Sequence, residues 1–217
     1  MMVDALHNDV PENSVVLPED QARADMYALI GCLFYAAPDS HLIAQICKGG
    51  APADEAGDAS ALAQTWQALQ NTCKSAYPDV VKREHDTLFI GVGKAQVTLY
   101  TSHYVAHSSP ARHLVMLREQ LDQWGLARSA GAFEVEDHIA GLCDVMRFLI
   151  EQQAPLADQR LFFERFVYPG TLPLFEKVMT AASAGFYKSV VAFAGAFIEV
   201  EKAAYDMDEA ASATQTY

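Results

Sequence analysis

Apolar residues along this chain recur mostly at steps of three and four, the period of helices that bury one face. From Pro18 onward, Ala22, Met26, Leu29, Ile30, Leu33 and Phe34 keep that spacing, with Glu19 and Asp20 at the positive end of the helix and Pro38 stopping it. Asp39 or Ser40 caps a short second helix carrying Leu42, Ile43 and Ile46, and Gly49-Gly50 closes it. A third helix over about 60–77 sets Leu62, Trp66, Leu69 and Cys73 on one stripe, and Pro78 separates it from a fourth over 79–90. Ser109 followed by Pro110 reads as an N-cap with proline in the first turn, starting a helix with Leu114, Leu117, Leu121 and Trp124 that ends at Gly125. The cleanest amphipathic run follows, with Ile139, Leu142, Cys143, Met146, Leu149 and Ile150 on one face.

Past Pro155 the pattern predicts a Phe-rich helix over 156–168, another over 172–182, and a long last one with Phe186, Val190, Phe193, Phe197 and Val200 facing inward. Residues 97–100 could be extended, but one short run makes no sheet. About nine helices without strand-helix-strand alternation predict an all-α helical bundle. Residues 1–17 read as a flexible acidic tail, 18–206 as a single helical domain, and 207–217 as a frayed end; residues 48–59 are the clearest internal loop.

Composition narrows the function. Of 217 residues, 51% are hydrophobic and 20% charged, which excludes global disorder. The net charge of -13 is concentrated at the ends: residues 1–60 hold 10 acidic against 2 basic side chains, and 199–217 hold 5 against 1. Such a field repels nucleic acid, and no basic cluster exists to bind phosphates. Cationic partners are favoured instead. Cys32, Cys47, Cys73 and Cys143 form no Cys-x-x-Cys pair and sit among apolar neighbours, so buried free thiols are expected. The N-terminal stretch lacks the basic and apolar regions of a secretory signal, and the longest apolar run is too short to span a bilayer; a cytoplasmic protein without stable membrane insertion is expected.

Catalytic chemistry finds little footing. Neither a pair of Glu-x-x-His motifs nor a His-Glu-x-x-His occurs, and there is no Gly-x-Ser-x-Gly elbow. No metal and no cofactor is expected. The turn Gly91-Val92-Gly93-Lys94 lacks the spacing of a phosphate-wrapping loop and reads as a tight turn between helices. What stands out is Glu134-Val135-Glu136-Asp137-His138, opening the cleanest helix. Acidic residues in a first turn are stabilised by the macrodipole by roughly 0.3–1 kcal/mol each, but three carboxylates exceed what a cap requires. A histidine beside them has its protonated form favoured.

At this string the sequence resembles the TorD/DmsD/NarJ family of redox-enzyme maturation chaperones, which carries a Glu-x-x-Asp-His signature opening a helix, matched here by Glu134, Asp137 and His138. Residues 84–104 resemble the family's Leu-Phe-x-Gly-Pro-Gly turn and the Pro-Tyr-x-Ser-x-Tyr segment after it, at Leu88, Phe89, Gly91, Gly93, Tyr100, Ser102 and Tyr104. Val92 and Leu99 replace the two prolines. Farther on, 162–170 is similar to a Phe-x-x-x-His-x-x-Pro-Trp segment, with Phe166 and Gly170 in place of His and Trp. Helix order agrees over about residues 19–205.

The resemblance implies an all-helical protein without catalytic activity that binds the twin-arginine signal peptide, or another part, of a molybdopterin oxidoreductase during cofactor loading in the cytoplasm. On that basis Glu134 and Asp137 are expected to contact client cations, His138 to orient Asp137, and Leu88, Phe89 and Tyr100 to line an apolar groove, with Ser102 and Tyr104 fixing the loop. Carboxylates beside a hydrophobic groove suit a peptide with paired arginines. Two alternatives are a nucleotide-responsive switch or weak GTPase, and a non-catalytic adaptor subunit. A monomer and a domain-swapped dimer both fit the sequence.

Overall fold

The computed structural model describes residues 3–5, 16–50, 60–91, 94–105, 109–128 and 134–214. Nine α-helices occupy most of them: α1 (Pro18–Tyr35), α2 (Ser40–Lys48), α3 (Ala61–Lys74), α4 (Pro78–His85), α5 (Pro110–Gln123), α6 (Ile139–Glu151), α7 (Leu156–Phe162), α8 (Tyr168–Thr180) and α9 (Phe186–Thr214). The protein is all-α, as the hydrophobic period predicts. Two three-residue strands, β1 (Val3–Ala5) and β2 (Leu126–Arg128), pair antiparallel, and β1 falls within the stretch expected to be a flexible tail. The rest of that tail over 6–15, the loop over 51–59 and residues 215–217 lie outside the described residues.

The chain forms two compact units, one of Met1–Tyr35 with Thr98–Leu174, the other of Ala36–Val97 with Phe175–Tyr217. In the first, α6 is the core element. Its Ile139, Leu142, Cys143, Val145, Met146, Leu149 and Ile150 are all buried, and α1 packs along it. Each such aliphatic side chain contributes about 1.5–3 kcal/mol of transfer free energy. Of the stripe expected on α1, Ile30, Leu33 and Phe34 are buried, Met26 and Leu29 partly so and Ala22 exposed, while Ala24 and Tyr27 complete the buried face. Phe162, Phe163 and Phe166 complete this core.

In the second unit α3 packs on α9, and Trp66 meets Phe193 at a ring separation of 5.1 Å. Phe186, Val190, Phe193 and Phe197 are buried as expected, but Val200 is exposed. The α9 helix runs to Thr214, past Asp206 where fraying was expected. Glu84 of α4 accepts the backbone N–H groups of Gly185, Phe186 and Tyr187 at 2.8, 3.0 and 2.8 Å, satisfying donors that the start of α9 leaves open.

Caps follow the sequence signals. Asp39, Ser60 and Ser109 accept from the amides of Leu42, Ala63 and Arg112, and Gly49 follows α2. Two helical runs widen into π turns, at Asp86–Ile90 and Phe163–Val167. The second joins α7 to α8 without a break, where two separate helices were expected. The four thiols are free, with Cys73 and Cys143 buried, Cys47 partly so, and Cys32 exposed rather than buried.

Candidate functional site

The acidic string precedes α6 instead of forming its first turn, because the helix begins at Ile139 and no acidic residue lies in that turn. The cap is His138, whose Nδ1 accepts the Ala140 amide at 3.2 Å. An imidazole that accepts at Nδ1 carries its proton on Nε2 when neutral. The backbone then pairs with the arm arriving from Thr98. The Thr101 amide donates to the Asp137 carbonyl at 3.0 Å and the Ile139 amide to the Leu99 carbonyl at 2.9 Å, a single antiparallel bridge between Tyr100 and His138. Residues 97–100 thus find a one-residue partner, which the period alone does not reveal.

Side chains fasten the same junction. The 3-10 turn Thr101–Tyr104 places the Ser102 hydroxyl against the Asp137 carboxylate, to which it donates, while the Thr101 hydroxyl reaches the Asp137 carbonyl at 3.2 Å. Ser102, Asp137 and His138 are 3, 4 and 4% exposed, so this is an interior polar clamp. Tyr104 donates to the Thr98 carbonyl at 2.9 Å and closes the turn, as expected of a residue that fixes the loop.

At the half-buried edge lies Glu134, which accepts the Tyr100 hydroxyl at 2.5 Å. Burial, reinforced by that carboxylate, pushes the Tyr100 hydroxyl up to about 12, so it stays protonated and donating at neutral pH. The Tyr100 ring stands edge-on to His138 at 5.6 Å. Glu136 is ion-paired with Arg118 of α5 at 3.0 Å. Of the three carboxylates in the string, Asp137 is fully buried and Glu136 is paired with Arg118, while Glu134 is half-buried and bonded to Tyr100.

Several contributors had no sequence signal. Gly170 of α8 approaches Thr101 so closely that a Cβ would lie 2.5 Å from the Thr101 carbonyl oxygen. The departure from tryptophan at 170 is therefore required by the way the turn is seated. His113 of α5 is 3% exposed, its Nε2 has no hydrogen-bond partner, and its ring meets Phe166 edge-on at 5.5 Å. Burial holds the imidazole below its ordinary range, against the opposing pull of Asp137 and helped by Arg165. Phe166, standing where the family has His, thus supplies the ring against which this histidine packs.

Leu88 and Phe89 belong to the other unit. Leu88 is fully buried in that unit's core, and the half-buried Phe89 packs edge-on against Tyr187 at 4.9 Å and against His85 at 5.2 Å. In the glycine-rich turn, Gly91 has φ +64 and a Cβ there would lie 2.2 Å from the Lys94 carbonyl oxygen; residues 92–93, with the expected match at Gly93, lie outside the described residues. Among the described residues no group of three or more His, Cys, Asp or Glu side chains could hold a metal, and no helix is long and apolar enough to cross a membrane.

The site thus combines a helical scaffold, a turn seated by buried polar groups and a hydrogen-bonded carboxylate at its edge. Residues 55–169, more than half of the sequence, match the family model described as nitrate reductase delta subunit, and the chain belongs to that family. It is the NarJ/TorD-type family of redox-enzyme maturation chaperones, which are not catalysts and act with the catalytic subunit of a molybdoenzyme. No curated protein sequence matches the chain. A solved structure from Archaeoglobus fulgidus, described as a redox enzyme maturation protein, is similar with a TM-score of 0.49 and 19% identity, over 88% of this chain and 99% of that one.

Proposed function

We propose that this chaperone binds the twin-arginine signal peptide, or another cationic segment, of an immature molybdopterin oxidoreductase and holds it in the cytoplasm while cofactor is loaded. The observation that carries the reading is the Glu134 carboxylate, held at the edge of the clamp by Tyr100 at 2.5 Å. A carboxylate offers about four acceptor positions and pairs with a guanidinium through a forked, charge-assisted contact. The hydroxyl fixes the carboxylate before the client arrives, which lowers the ordering cost of binding.

Asp137, Ser102 and His138 act one layer behind. They set the position of the turn that carries Tyr100, and hence of Glu134. Asp137 becomes a second acceptor for the client if the Thr101–Tyr104 turn swings away and Ser102 releases it.

Calorimetric titration with a twin-arginine peptide, and with the same peptide carrying Lys-Lys or Ala-Ala, tests the reading. Binding is expected to fall from Arg-Arg to Lys-Lys to Ala-Ala, because lysine cannot make the forked contact. Equal affinity for all three would overturn it. Glu134→Gln should weaken the Arg-Arg complex by about tenfold, in keeping with the 1.5–3 kcal/mol of a charge-assisted hydrogen bond.

A further inference from the structure

A cleft in the second unit has a chemistry opposite to that of Glu134. It encloses about 540 Å³ where α4 gives way to the π turn Asp86–Ile90, within the roughly 300–1,000 Å³ typical of binding pockets. The backbone builds it. Gly91, at φ +64, lets the chain fold back so that Lys94 passes beside the turn, and the Val97 amide donates to the Leu88 carbonyl at 2.9 Å to fix the return.

Lys82, Asp86, Thr87, Ile90, Lys94 and Gln96 line it beside Gly91. Lys82 meets Asp86 at 2.7 Å, but with side chains 65% and 41% exposed this pair is held weakly. Such a surface pair contributes about 0–1 kcal/mol, so its ammonium can turn to another carboxylate at little cost. The Gln96 carbonyl oxygen accepts the Ser183 hydroxyl at 2.6 Å, which leaves the amide NH2 as a donor. Ile90, in the lining, is 62% exposed. Cations and a donor stand beside uncovered apolar surface.

We propose that this cleft is a second client contact, taking an acidic amphipathic segment in which Glu or Asp lies next to a large apolar side chain. Charge complementarity chooses this occupant. In a chain of net charge -13 this cleft sets two lysines against one aspartate, a local excess of positive charge, and the lysines would repel the paired arginines proposed for Glu134. The inference rests on the chain acting on a polypeptide client and does not require that client to carry twin arginines.

Fluorescence anisotropy on the full chain tests it, with a short labelled helical peptide bearing glutamates and leucines and a control in which every glutamate is glutamine. The glutamate peptide is expected to bind about tenfold or more tightly than the control, and Lys82→Glu with Lys94→Glu to abolish that preference. Ile90→Asp should weaken binding as well. All three positions are exposed, so circular dichroism should be unchanged, and the twin-arginine titration should not respond to any of these variants. Absence of binding, equal binding of the two peptides, or a preference that survives charge reversal would overturn the cleft assignment while leaving the Glu134 reading to its own titration.

Discussion

Ser102 and Thr101 spend their hydroxyls on the side chain and carbonyl of one residue, Asp137, and the stability of the turn follows from that concentration. A buried carboxylate stripped of its donor retains its desolvation cost, so Ser102→Ala should lower the unfolding free energy by about 1–3 kcal/mol in urea denaturation. Ser102→Thr, which keeps the hydroxyl, should recover part of it. Tyr100→Phe behaves differently: it leaves the fold close to intact, and its expected effect is a weaker Arg-Arg titration, since Glu134 loses the hydroxyl that orients it. His113 adds a pH dependence. Its folded-state affinity for a proton is depressed by burial, so below about pH 6.5 the unfolded chain binds the proton more readily and stability falls with acidification. The urea midpoint should drop as the pH is lowered through that window, and His113→Gln should flatten this part of the curve. An unchanged slope in the variant would remove His113 from the account.

The caps at Asp39 and Ser109 are readable in the sequence, whereas the contacts that distant groups supply are not, even where the helix they fasten is. Asp39, Ser60 and Ser109 stand immediately before their helices and cap them, as the preference for short polar side chains dictates. His138 does the same with an imidazole nitrogen, outside that preference, and so the helix was read as starting at Glu134. The first turn of α9 depends on Glu84, 101 to 103 residues earlier in the chain, a distance over which no spacing rule operates. Glu84→Ala should therefore cost about 1–3 kcal/mol, measured as a lower denaturation midpoint, with Glu84→Gln losing less because its amide oxygen still accepts. The π turns were hidden for a related reason. One extra residue in a turn shifts the apolar stripe without interrupting it, so 79–90 reads as one helix from the period, and only the backbone shows where it widens. The signature residues themselves were legible as a group; that Asp137 and His138 face inward was not, because a carboxylate string looks the same whether it meets solvent or a serine.

At the scale of the whole chain, charge makes the two proposed contacts separable by kinetics. The chain carries 28 acidic and 15 basic side chains, and an approaching peptide feels their sum before it feels any one group. A twin-arginine peptide is attracted at long range, so its association rate should fall as salt is raised from low ionic strength toward about 0.15 M, where the screening length shrinks to roughly 8 Å. An acidic peptide bound for Lys82 and Lys94 meets the opposite balance. The overall field slows its approach while the two lysines hold it on arrival, so added salt should raise its association rate and speed its dissociation. Stopped-flow traces of both labelled peptides over one salt series give all four rate constants. Salt slopes of opposite sign for the two association rates are the expected result. Parallel slopes would mean that both peptides approach one common surface, and the separation between the carboxylate edge and the lysine cleft would have to be abandoned.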